Sequence, residues 1–159
     1  MARTILIAWL VAGTLDILSA FVFAGMAGMS PGGVLQFVAS GPFGEAMKTS
    51  PAGGPLGLVT HYAIMLAMVA AYVAIAPRFP ALMRHPIVAG IAYGVLLWLI
   101  MYWVVRPLRW PEMALPAAWA PMPPGKVAWS IGNALFSHCV LVGIPIAWIT
   151  ARWARRRAA

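Results

Sequence analysis

Asp16 lies in the middle of a long apolar run, about 13 residues beyond Arg3. On a helix that distance is ~19 Å along the axis, near the midplane of a bilayer. A carboxylate there costs roughly 2.5–3.5 kcal/mol on insertion scales. It must therefore face other helices and be either protonated or paired. His138, about 11 residues inside the last apolar run, falls at similar depth, so Asp16 with His138 is the best intramembrane pair on offer. His61 enters five residues into the second run, roughly 7–9 Å below the outer surface at 1.5 Å per residue. Asn133 has a similar depth. Ser130, Asn133 and Ser137 follow one helical stripe, with His138 at its edge. The spacing predicts a polar column from an outer mouth (His61, Asn133, Gln36) to the midplane (His138, Asp16, with Ser19 one turn along). Such a column suits a proton path or a small polar ligand. A purely structural reading stands beside it. Ser and Asn commonly hydrogen-bond helix to helix, at around 0.6 kcal/mol each. Asp16 could serve a structural ion pair, and His61, next to Tyr62, could snorkel to the interface.

These residues need helices to hold them, and proline placement marks where the helices begin and end. Thirteen of the 14 prolines fall in three clusters, at 31–55, 77–86 and 107–124. Proline breaks a helix interior but suits a first turn. Between the clusters lie apolar runs at about 4–29, 56–76, 87–105 and 127–151, each near the ~20 residues that cross a bilayer. The expected fold is all-α: one integral membrane four-helix bundle over residues 1–159. The first run could also be read as a signal peptide. It is longer than a usual h-region and carries Asp16, so a retained helix is expected. Of 159 residues, 63% are hydrophobic and 9% charged, with a mean hydropathy of +0.88. A soluble domain carries about 25% charged residues, so a free soluble protein is excluded.

The chain has 11 basic and 3 acidic residues, a formal +8. Arg3, Arg78, Arg84, Arg152 and Arg155–Arg157 fall on one side of a four-span topology. Lys48, Arg106, Arg109 and Lys126 fall on the other. The excess predicts cytoplasmic N- and C-termini, with loops 30–55 and 106–126 outside. The Arg152–Arg157 end then meets anionic lipid headgroups rather than nucleic acid. Trp9, Trp148 and Trp153 near one end, and Trp103, Trp110, Trp119 and Trp129 near the other, resemble two interfacial belts. Cys139 is the sole cysteine and says nothing of redox compartment.

In the first outer loop, Ser30-Pro31 reads as a cap with proline at the first helical position. It opens an apolar piece, Val34–Ala39, that stops at Ser40-Gly41-Pro42-Phe43-Gly44. Two readings compete: a broken amphipathic helix lying on the interface, and a re-entrant hairpin with Gln36 and the Gly41–Gly44 turn lining a cavity. The third loop, rich in proline, reads as a stiff cover over the outer mouth. The short second loop predicts that the second and third spans are antiparallel neighbours. Gly90 and Gly94 form a GxxxG suited to close helix approach or dimerisation. Pro145 should kink the last span and free the Leu141 carbonyl. The ten methionines read as flexible packing. Met26 and Met29 alone keep a soft-metal reading alive.

Gly13-Thr14-Leu15-Asp16, the stretch Val34 to Gly41, His61, Arg84-His85-Pro86 and Ser137-His138 together resemble small four-span bacterial inner-membrane proteins of the YagU-like kind, whose function is unassigned. The resemblance implies a multi-pass protein of the bacterial inner membrane and supplies no substrate. No phosphate loop, cysteine metal pattern or nucleophile elbow is present. Cys139 and His138 are adjacent, so they point about 100° apart on a helix and make a poor nucleophile–base pair. The reading is a non-enzymatic membrane protein that binds or passes a small solute or proton, with no metal site and no identified cofactor. The alternative is an accessory or assembly subunit of a larger membrane complex, or a homo-oligomer. A haem or metal carrier using His61 and His138 is disfavoured by their different depths.

Overall fold

The computed structural model describes residues 1–158 and is all-helical over them. The side chains of Arg156 and Arg157, part of the expected lipid-facing cluster, lie outside the described residues. Four helices are long and apolar enough to cross a membrane: α1 (Ala2–Met26), α3 (Gly53–Arg78), α4 (Pro86–Arg109) and α5 (Pro124–Arg155). Between α1 and α3 lies α2 (Pro31–Phe43). Each long helix begins or ends where the proline clusters place a break, because proline lacks the donor an interior turn needs. Exposed Leu6, Leu10, Leu18, Val22, Val59, Val88, Leu96 and Val140 give the bundle an apolar exterior, which lipid tolerates and water does not.

The helices follow one another around the bundle as α3, α1, α5, α4. Helix α5 is the central one, with 56% of its apolar window buried against 22–28% for the others. The half that carries the chain termini is packed with small residues: Ala8, Ala12, Ala76, Ala89 and Ala147 are all buried. A side chain at Gly90 would collide with the Gly143 and Ile144 backbone, and one at Gly94 with that of His138 and Cys139. The GxxxG stripe is therefore used inside the chain, seating α4 on α5.

Helices α3 and α4 are antiparallel but are not close backbone neighbours, contrary to the expectation from their short connection. The reason is the connection itself, which forms its own helical turn, Pro80–Arg84, and leans on α5. Long side chains span the gap at the terminal half: Tyr93 Oη donates to the Met68 carbonyl (2.7 Å), and its ring lies 4.9 Å from that of Tyr72. Toward the other end the two helices leave a cavity between them.

Two stretches widen into π-helix, Ile100–Val105 in α4 and Phe136–Gly143 in α5. Each ends two residues before a proline, Pro107 or Pro145. Proline withholds one donor and crowds the preceding turn; the wider turn gives the ring room. Instead of ending near 105, the third span therefore continues past Pro107 to Arg109.

Helix α2 opens with the Ser30 hydroxyl accepting from the Gly33 N–H (3.1 Å). It runs beyond the break expected at Ser40 and ends at Gly44, whose φ of 90° suits glycine. It packs on α3, where a side chain at Gly57 would collide with the Leu35 carbonyl.

Candidate functional site

A cavity of about 700 Å³ lies between α1, α3, α4 and α5, with α2 along its side. One wall is apolar: Val34, Phe37 and Val38 from α2, and Ile64, Met65 and Met68 from α3. The other carries Asp16 from α1, Tyr102 and Arg106 from α4, and Ser130 and His138 from α5, with His61 of α3 beside Asp16. Size and lining suit a small-molecule site.

The closest partner of Asp16 is His61, with Nδ1 3.9 Å from Oδ2. Two local contacts bring His61 down to this level. The Trp9 indole N–H donates to the Tyr62 carbonyl (2.7 Å), and Thr14 and Tyr62 share a hydroxyl hydrogen bond (2.9 Å). Gly13 lets the Tyr62 ring lie against α1. Helix α3 also starts at Gly53, so His61 sits about 12 Å along it at 1.5 Å per residue, deeper than the apolar run alone implies. His61 is buried, 8% exposed, rather than snorkelling.

Both imidazoles have their tautomers set by main-chain carbonyls. His61 Nε2 lies 2.9 Å from the Gly13 oxygen, and His138 Nδ1 lies 2.8 Å from the Ala134 oxygen. A carbonyl only accepts, so each of these nitrogens carries hydrogen. In the neutral rings, His61 Nδ1 and His138 Nε2 are then lone-pair acceptors. His138 is beyond ion-pair distance of Asp16 but lines the same cavity, its ring edge-on to Tyr102 (6.1 Å between centroids). The Arg106 guanidinium lies over the other end of this wall, 4.6 Å from the Tyr102 ring centre.

Asn133 is not at this cavity; it lies in a second pocket with Phe23, Trp129 and Phe136. Gln36 does not line the cavity either. Its amide donates to the Ser50 carbonyl (3.1 Å) and braces the loop after α2. Of the expected column, Ser130 lines the cavity, while Ser19 and Ser137 bond to each other (2.9 Å) between α1 and α5.

The mouth has a built edge that the sequence did not single out. Arg109 donates from Nη2 to the Ser40 carbonyl (2.6 Å) and from Nε to that of Gly41 (2.6 Å), capping the C-terminus of α2. Its Nη2 also meets Glu45 (3.3 Å), which accepts from the Trp110 indole (3.2 Å) and pairs with Lys48 (2.6 Å). Trp110 stacks on Phe37, 4.6 Å between ring centres. The hydrogen bond from Lys48 is the first cause of a Glu45 pKa below the ordinary carboxylate value, with Trp110 and Arg109 adding to it. Tyr102 and Arg106 were legible only as an i, i+4 pair ahead of Pro107; their aim depends on the π turn. No group of three or more His, Cys, Asp or Glu side chains stands close enough to hold a metal among the described residues.

Fold and cavity together define a four-helix protein compatible with a multi-pass place in a membrane. No protein-family model matches the chain, and neither the curated proteins nor the solved structures contain a match. The YagU-like resemblance thus rests on the motifs quoted above.

Proposed function

We propose that the protein resides in a bacterial inner membrane with both termini cytoplasmic, and that it binds or passes a small solute or a proton at the Asp16–His61–His138 site. The seven-to-four distribution of basic residues supports the orientation, and the YagU-like motifs support the membrane. In this reading loops 30–55 and 106–126 face outward. Helix α2 shields the flank of the cavity, and solutes enter past Arg106 and Trp110. The role is one of binding and passage rather than catalysis.

One observation carries the reading. With Nε2–H committed to Gly13, His61 turns a lone pair toward the Asp16 carboxylate across 3.9 Å. Two acceptors facing one another in a buried place repel unless they share a proton or receive a donor. The pair is thus built to hold and release a proton. In proteoliposomes carrying an internal pH dye, wild type should dissipate or couple to an imposed proton gradient. Asp16→Asn should not, and His138→Ala should do so only weakly. Equal proton movement and equal solute binding in all three proteins would overturn the site.

A further inference from the structure

From the donor and acceptor inventory of the cavity we infer that its ligand is an organic ammonium ion with an apolar body, taken up in exchange for a proton. This rests on the Asp16–His61–His138 site being the binding site, and it adds the ligand's chemical class.

Around Asp16 the site presents three groups that only accept, beside the Ser130 and Tyr102 hydroxyls, which can do either. Asp16 offers a carboxylate, His61 offers Nδ1 and His138 offers Nε2, because both ring N–H groups are engaged by helix carbonyls. A ligand that fits must bring the donors. An ammonium group brings two or three N–H bonds and a charge opposite to that of Asp16, and charge-assisted hydrogen bonds are the strong ones. A carboxylate or phosphate ligand would bring further acceptors and negative charge to the same place. The rest of the lining suits the rest of such a molecule. Phe37, Trp110 and Tyr102 line the cavity with aromatic surface, and Met65, Met68 and Met101 add adaptable apolar surface. Each of the three rings already has a cation of the chain near it, Lys48, Arg109 and Arg106 in turn, so the rings serve the apolar body rather than the charge.

The charged and titratable groups facing the site from each helix fit the same reading. Helix α1 contributes Asp16, α3 His61, α4 Tyr102 and Arg106, α5 His138, and α2 none. Arg109, at the mouth, shares Glu45 with Lys48. Arg106 repels a cation, and its guanidinium lies 4.6 Å from the Tyr102 ring centre, so the contacts to Asp16, His61 and His138 must outweigh it in the bound state as well as on entry. In the free protein the Asp16–His61 pair carries a proton. When the ammonium ion, with its own protons, occupies the site, that proton leaves to solution. Charge is conserved: one cation enters and one proton departs.

The test uses the full chain in lipid nanodiscs and three probes of similar shape: phenethylammonium, phenethyl alcohol and 3-phenylpropionate. Isothermal titration should show the ammonium binding about ten-fold or more tightly than the alcohol. The heat should vary with buffer ionisation enthalpy as one released proton requires, and affinity should weaken as pH falls. Asp16→Asn should abolish the preference for the ammonium, Asn133→Ala should preserve it, and thermal melts should verify that both variants fold. Should Asp16→Asn fail to fold, His138→Phe, which removes an acceptor but keeps the carboxylate, should weaken the ammonium several-fold and leave proton release in place. No binding of the ammonium, equal or tighter binding of either other probe, or no proton release would overturn the ammonium assignment. The proton assay above does not involve an amine, so failure of the site itself would show there and failure of the ligand class only here.

Discussion

The terminal half of the bundle and the half beneath α2 are built from the same four helices but with opposite packing. In the first, alanine and glycine let backbones touch; Gly90 and Gly94 of α4 lie directly on α5. In the second, π turns, methionines and aromatic rings hold the helices apart around a cavity of about 700 Å³. The difference shows how one apolar composition can yield both a rigid clamp and a site. Hydrophobicity does not drive helices together in lipid, so shape decides where they meet. Small residues give close contact, whereas a widened turn ahead of a proline gives space. Asp16, His61 and His138 occur on the open side, where they line the cavity.

The strongest way to break this contrast is to enlarge the clamp. Gly94→Leu would drive a side chain into the His138–Cys139 backbone and should destabilise the protein by about 3 kcal/mol or more. Denaturation in mixed micelles would measure this; a loss under 1 kcal/mol would show that the α4–α5 contact is not tight. The second test works on the open side. Asp16→Asn removes a half-buried carboxylate whose presence costs roughly 2.5–3.5 kcal/mol, so melting should hold or rise while proton coupling disappears. A marked drop in melting temperature would make Asp16 a structural residue.

Enlarging the cavity wall should have the smaller effect that free space permits. Met101→Trp should cost less than about 1.5 kcal/mol, the range of tolerated hydrophobic exchanges, while blocking solute binding. Comparing it with Gly94→Leu in one denaturation series measures the contrast directly. The smallest effect is expected at the mouth. Glu45→Gln should loosen α2 and raise amide exchange across Pro31–Phe43, leaving the four spans unchanged. The pH dependence has a definite sign. The Glu45 pKa is lowered in the folded chain, so its contribution is complete above the ordinary carboxylate range and is lost as pH falls through the lowered value. Protection of α2 that is unchanged in strong acid would contradict the role of Glu45.

Much of this was legible in the chain. Proline clusters and apolar runs mark four spans to within a few residues, and Asp16 announces itself as a carboxylate in an apolar run. Its neighbour was harder to read. Counting from the apolar run places His61 near the surface, but α3 begins earlier, at Gly53, and Trp9 and Tyr62 fix it against α1. His61 therefore lies within 3.9 Å of Asp16, while His138, matched in depth and on the same wall, stays beyond ion-pair distance. Asn133 shares a depth with the site but faces a different pocket, because depth says nothing about which way a side chain points. Arg109, the cap on α2, carries no local sign of its role, since its acceptors at Ser40 and Gly41 lie 68–69 residues away.

By itself the sequence determined that this chain forms four long apolar helices, where proline breaks them, and that one carboxylate lies among them. Those properties depend on composition and on local backbone chemistry. Only the tertiary structure decided which histidine meets Asp16, that Gly90 and Gly94 act within the chain, and that a cavity opens between α3 and α4. Each of these depends on the rotation and contact of whole helices. One residue along a helix turns a side chain by about 100°, and a π turn resets that count in a way hydropathy does not register.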